Sequence, residues 1–172
     1  PKFDDRNFDD NLKDKIEIKQ VIEDSNQLVH VDYPFYLLLS ERESKDTNDS
    51  SLISYFTYDH LTYLFMGDAS KQIEKQLMAT YDLKADVIKV GHHGSNTSSD
   101  PDFLDSLDCK IALISCGYKN KYGHPGVETL KTLENLHINT LCTSDCGSIA
   151  MYSLFHFSFV VTNDGMFGII WT

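Results

Sequence analysis

The spacing of hydrophobic positions changes period along the chain, and each change marks an element. Ile16 and Ile18 alternate with Glu17 and Lys19, the two-residue period of a half-buried strand. Strand-like patterning runs on to Leu39 across a turn at Asp24-Ser25-Asn26. The polar, acidic residues 1–15 suit one short helix, and residues 40–50 a polar loop. Residues 52–58 and 61–66 read as two aromatic-rich strands, joined as a hairpin around Tyr58-Asp59-His60-Leu61. Beyond Asp68 the period lengthens. Ile73, Leu77 and Tyr81 fall four apart behind Ser70 as N-cap, which predicts a helix. The apolar runs 85–90 and 110–116 read as buried strands. Between them, Asp100-Pro101 opens a short helix with Pro at its first position. After them, His124-Pro125 opens a helix with Val127, Leu130 and Leu133 as its apolar face. Strands over 140–143, 148–154, 157–162 and 167–171 finish the chain, with turns at 144–147 and at Asn163-Asp164-Gly165. Strands and helices alternating between hairpins predict an α/β layered sandwich with a mixed sheet.

The chain's 172 residues suit one domain with one core. The net charge of -11 argues against generic binding to a polyanion, which gains affinity through Lys and Arg. Lys84, Lys89, Lys119 and Lys121 are the basic residues able to form a local patch. Cys109, Cys116, Cys142 and Cys146 include no C-x-x-C pair, and their spacing neither demands a disulfide nor reveals a redox compartment. The N-terminus does not read as a signal peptide. The longest apolar stretch, 151–161, is interrupted by Ser153, His156 and Ser158 and falls well short of the ~20 residues that span a bilayer. The chain itself is therefore expected to be soluble.

Three loops carry candidate chemistry. Gly67-Asp68-Ala69 follows a predicted strand, and a carboxylate at such a tip can bridge two cations; an Asp favoured by a nearby helix N-terminus is the plainer reading. Val90-Gly91-His92-His93-Gly94-Ser95 follows another. Its glycines permit the backbone needed to turn two imidazoles toward one focus, where one can ligate zinc or manganese and the other can donate a proton or hold phosphate. In Tyr122-Gly123-His124-Pro125, a His at a helix start lies beside unpaired backbone N–H groups, a ready anion site, unless it merely caps the helix.

The order GDA, VGHHGSNTS, ALISCGYKNKYGHP and TSDCGSI, each after a predicted strand or opening one, resembles the ComEC/Rec2 family of competence proteins. The segment Asn48-Asp49-Ser50-Ser51-Leu52 is similar to the family's N-x-S-L stretch. The resemblance covers about residues 48–149 of what is expected to be a single partial domain over 1–172. It implies an αββα metallo-β-lactamase-type sandwich and metal-assisted phosphodiester hydrolysis. Asp68 and His93 would be metal ligands, His92 and His124 catalytic, and Ser95, Asn96 and Thr97 contacts to substrate phosphate. Zinc or manganese would be the cofactor. DNA and a membrane-channel domain of the same protein would be partners, at the extracellular face of the bacterial cell membrane.

One departure matters. The family's H-x-H-x-D-H motif does not occur, and Asp59-His60 lies in the predicted hairpin turn. The motif and the first sheet strands are expected to precede residue 1, leaving metal absent or partial and the isolated chain inactive. A sheet edge left open would favour a homodimer. A non-catalytic domain that positions DNA or a partner, or another phosphodiesterase of the same fold such as a phosphorylcholine esterase, are the competing readings.

Overall fold

A computed structural model describes residues 35–38, 47–154, 157–165 and 167–170. The elements expected within residues 1–34, His30, His156 and Trp171 lie outside them.

The hairpin forms as β2 (Ile53–Tyr58) and β3 (Leu61–Phe65), with β1 (Phe35–Leu38) added antiparallel to β2. Asp59 takes a left-handed backbone at the turn (φ 54°) and pairs with His60 at 2.9 Å. From β3 onward the chain crosses over three times. Helix α1 (Lys71–Thr80) leads to β4 (Val87–Lys89), α2 (Pro101–Leu107) to β5 (Ile111–Ile114), and α3 (Val127–Asn135) to β6 (Asn139–Cys142). β3, β4, β5 and β6 pair in parallel, so the six-stranded sheet is mixed and its order follows the chain. A one-turn helix, α4 (Thr143–Cys146), then leads to the antiparallel three-stranded sheet β7 (Ile149–Leu154), β8 (Phe157–Thr162) and β9 (Phe167–Ile170).

The large sheet is buried on both faces, as parallel strands require. Ile73 and Leu77 of α1, Phe103, Leu104 and Leu107 of α2 and Leu133 of α3 join Leu64, Ile88, Ala112 and Ile114 in the main core. Leu61, Tyr63, Val87 and Ile111 point the other way and meet Ile170 of β9 in a second cluster. The described layers are thus helices, large sheet and small sheet. The α/β class and the mixed sheet agree with the sequence reading. The outer face of the small sheet leaves Tyr152, Phe157, Phe167 and Ile169 exposed, so the second helical layer of an αββα sandwich does not lie among the described residues.

Two local expectations need correction. The apolar face of α3 is not Val127, Leu130 and Leu133: Val127 is 66% exposed and Leu130 39%, whereas Thr129 is buried beside Leu133. The Thr129 hydroxyl donates to the Ser95 carbonyl at 2.9 Å, and that bond turns the helix so that a polar residue faces inward. The turn at 144–147 is instead the helix α4, closed by Gly147 at φ 70°. Ser70 stands at the N-cap of α1, but its side chain makes no capping hydrogen bond. Asp100 does cap α2, accepting from the N–H groups of Asp102 and Phe103.

Candidate functional site

All three candidate loops leave the carboxyl ends of adjacent parallel strands, where open α/β sheets place their ligand crevices. Asp68 follows β3, His92 and His93 follow β4, and the segment from Ser115 to His124 follows β5. Backbone hydrogen bonds lock the first two loops together. The Met66 N–H donates to the Lys89 carbonyl at 3.2 Å and the His92 N–H to the Gly67 carbonyl at 3.1 Å. The loops pack so closely that a Cβ at Gly91 would stand 2.7 Å from the Ala69 carbonyl oxygen. Only glycine permits that approach.

The His pair sits in a 3-10 turn, Gly91–Gly94, with both histidines in the left-handed region (φ 46° and 55°). Two successive non-glycine residues there are strained, and such strain persists only where surrounding structure enforces it. The turn aims the two rings differently. The His93 Nδ1 lies 2.7 Å from the Ser115 carbonyl, to which it donates; the Nε2 then faces the Asp68 carboxylate, with its Oδ1 at 3.7 Å. The His92 Nδ1 contacts the Thr97 hydroxyl at 3.3 Å. The His92 ring lies 6.4 Å from that of His93 and 5.7 Å from that of His124, centre to centre. Asp68, His92, His93 and His124 therefore form one cluster.

Neighbouring groups tune it. The Asp68 N–H donates to the Ser51 hydroxyl at 2.9 Å, which ties the carboxylate's loop to the segment ahead of β2. The Lys89 ammonium donates to the Gly67 carbonyl at 3.2 Å; burial lowers its pKa, and the nearby Asp68 carboxylate works against that shift. Desolvation lowers the His124 pKa, with the His92 and His93 rings adding to the effect, so the uncharged imidazole is favoured there. Tyr122 stacks on it, 5.9 Å between rings at 17°.

Ser95, Asn96 and Thr97 carry structural bonds. The buried Ser95 hydroxyl pairs with the Thr97 hydroxyl at 3.0 Å. Asn96 Oδ1 accepts the Glu128 N–H at the start of α3, at 3.2 Å, and fills the space in front of Gly126. Thr97 holds His92 through its hydroxyl, and its carbonyl accepts the Lys71 N–H. His124 lies two residues ahead of the α3 N-cap, Gly126, rather than at it. The four lysines do not form one patch: Lys84 precedes β4 at the far end of the sheet and binds the Ser106 carbonyl, while Lys119 and Lys121 lie over the exposed rings of Tyr118 and Tyr122 in the loop after β5. Sequence reasoning missed the Ser115 carbonyl, since a backbone acceptor carries no pattern, and placed Ser51 in the N-x-S-L stretch without its bond to the Asp68 loop.

Asp68 and His93 place two metal-ligating side chains at a spacing a shared cation at ~2 Å would accept. Among the described residues, however, no group of three or more His, Cys, Asp or Glu is arranged to hold a metal ion. A catalytic zinc takes about three protein ligands plus water, so the described residues do not complete a metal site.

Comparison with known proteins bears on this cluster. No family model matches the chain. It is 36% identical over 120 residues to ComE operon protein 3 of Bacillus subtilis (strain 168), covering 69% of this chain and 16% of that protein. It is 33% identical over 126 residues to Competence protein ComA of Neisseria gonorrhoeae, covering 72% of this chain and 18% of that protein. Over 70 residues it is 37% identical to Recombination protein 2 of Haemophilus influenzae, covering 41% of the chain. The chain thus spans less than a fifth of the length of these relatives.

Proposed function

We propose, on the premise that this chain is a homologue of the ComEC/Rec2 competence proteins, that it forms part of a metal-dependent phosphodiesterase, a nuclease domain, of a DNA-uptake protein. Its fold would be of the metallo-β-lactamase type. The observation that carries this reading is the approach of Asp68 to His93 at 3.7 Å, from two separate strand ends and with a strained His pair.

Within that reading each residue has a role. The Ser115 carbonyl accepts from His93 Nδ1, which fixes the ring and turns Nε2 toward Asp68, as carbonyls commonly do behind metal-ligating histidines. His92 and His124 stand beside that point, able to hold a phosphate oxygen or move a proton. A divalent cation, zinc or manganese, would supply charge neutralisation and an activated water. The remaining ligands would come from outside the described residues. Tyr118, Lys119, Lys121 and Tyr122 give the rim the alternating aromatic and basic side chains that suit single-stranded DNA. The working location would be the extracellular face of the cell membrane, beside the channel domain of the same protein. Among the described residues, no helix is long and apolar enough to cross a membrane.

A donor set that is incomplete among the described residues favours a second reading, a domain that positions DNA without cutting it. The two separate in a cleavage assay with manganese or zinc, run on this chain and on one extended upstream. The nuclease reading expects cleavage by the extended chain, reduced about 100-fold or more by His93→Ala, since even outer-shell partners are worth about 10–100-fold. An extended chain that binds DNA but leaves it intact, or a His93→Ala variant with full activity, sinks the nuclease reading.

A further inference from the structure

The carboxyl ends of β5 and β6 bring together two thiols that the proposed hydrolysis does not use. Cys116 Sγ lies 3.3 Å from Cys142 Sγ. The backbones that carry them are clasped by one side chain: Thr143 Oγ1 accepts the Cys116 N–H at 3.0 Å and donates to the Cys116 carbonyl at 2.9 Å. Two sulfurs already in contact, on backbones held in register, need only a small movement to bond. The other two cysteines are placed differently. Cys109 lies ahead of β5, at the opposite end of that strand, and Cys146 is buried with its thiol on the Cys142 carbonyl.

We propose that Cys116 and Cys142 are a site of reversible disulfide formation, oxidised by thiol–disulfide exchange with a small-molecule or protein disulfide. The Cys116 thiolate attacks one sulfur of the oxidant disulfide. A mixed disulfide on Cys116 forms, and the first oxidant thiolate leaves. Cys142 then gives its proton to solvent, attacks Cys116 Sγ and expels the second oxidant thiolate. Two cysteine thiols are oxidised by two electrons, and one disulfide is reduced to two thiols. Cys116 acts first because it is partly exposed, whereas Cys142 is buried. Burial pushes the Cys142 thiol up, so it reacts once the mixed disulfide stands beside it.

The bond lies one residue from the Ser115 carbonyl that holds His93, and at the root of the loop that carries His124. It would staple the floor of the candidate site. The crosslink does not depend on the nuclease reading, because its test reads thiols and not cleavage.

The test equilibrates the folded 172-residue chain with oxidised and reduced glutathione, alkylates it and maps the peptides by mass spectrometry. The expected result is loss of two of the four alkylatable thiols and a linked peptide that joins Cys116 to Cys142, reversed by excess reduced glutathione. Cys142→Ser should leave glutathione trapped on Cys116. Should that variant misfold, Cys116→Ser, at a less buried position, should leave Cys142 fully alkylatable after denaturation. Four alkylatable thiols at an oxidising poise, or a bond joining Cys142 to Cys146, overturns the proposal.

Discussion

Glu74 sets up a contest between burial and hydrogen bonding that pH can decide. Its carboxylate is 1% exposed, on the inner face of α1, and reaches the loop that follows the His pair. There it accepts the Ser99 N–H at 2.8 Å and the Asp100 N–H at 2.6 Å. Burial pushes its pKa up to about 7, helped by the Asp100 carboxylate, while the two N–H donors and Lys71 pull it down. Lys75 is occupied by Asp100 at 3.1 Å. With a folded pKa above the unfolded value of 4.5, this group's contribution to stability is full below about pH 4.5 and is lost as pH rises through about 7. Going from about pH 8 to about pH 5.5 should therefore add about 2 kcal/mol, at ~1.36 kcal/mol per pKa unit. Glu74→Gln removes the titration and keeps the shape. Urea unfolding of both proteins at the two pH values isolates the term, because other titrating groups are shared. The wild type should gain about 2 kcal/mol on the variant at the lower pH. A difference that stays constant, or moves in favour of the variant, means that the two N–H donors outweigh burial and refutes the reasoning.

Other consequences follow from packing. Gly91→Ala puts a methyl 2.7 Å from the Ala69 carbonyl oxygen, a backbone atom that cannot step aside, and should cost about 1–3 kcal/mol in chemical denaturation. Asp100→Ala should lose about 1 kcal/mol with the α2 cap, and Asp100→Asn should recover most of it, because an amide oxygen caps as well as a carboxylate. Thr129→Val keeps the volume but removes one of the bonds to the Ser95 carbonyl, which still accepts from the Ser98 N–H and hydroxyl, and should cost about 0.5–1.5 kcal/mol by the same measurement. Tyr122→Ala removes the ring stacked on His124 and should weaken single-stranded DNA binding by a chain extended upstream by about 1–3 kcal/mol, read by fluorescence anisotropy.

The sequence by itself determined the element order from the hairpin to the last strand, except for the one-turn helix α4, which reads as a turn. Those elements answer to local rules: the four-residue spacing of Ile73 and Leu77, Pro at the start of α2, and the Asp59 turn. It also determined the competence-family kinship, since motif order survives in the chain alone. Only the tertiary structure decided what depends on distance between elements. Residue pattern could not tell that Thr129 faces inward, because the bond that turns it is made to Ser95, far away in sequence. Nor could it tell that Cys116 meets Cys142, that Lys84 is separated from the other lysines, or that the Ser115 carbonyl holds His93. Parallel strands bring their carboxyl ends together whatever their separation along the chain, and hydrogen bonds act over about 3 Å of space rather than over sequence. The meeting of Asp68 and His93 belongs to both: the residue types were legible, and the 3.7 Å between them is the work of the sheet.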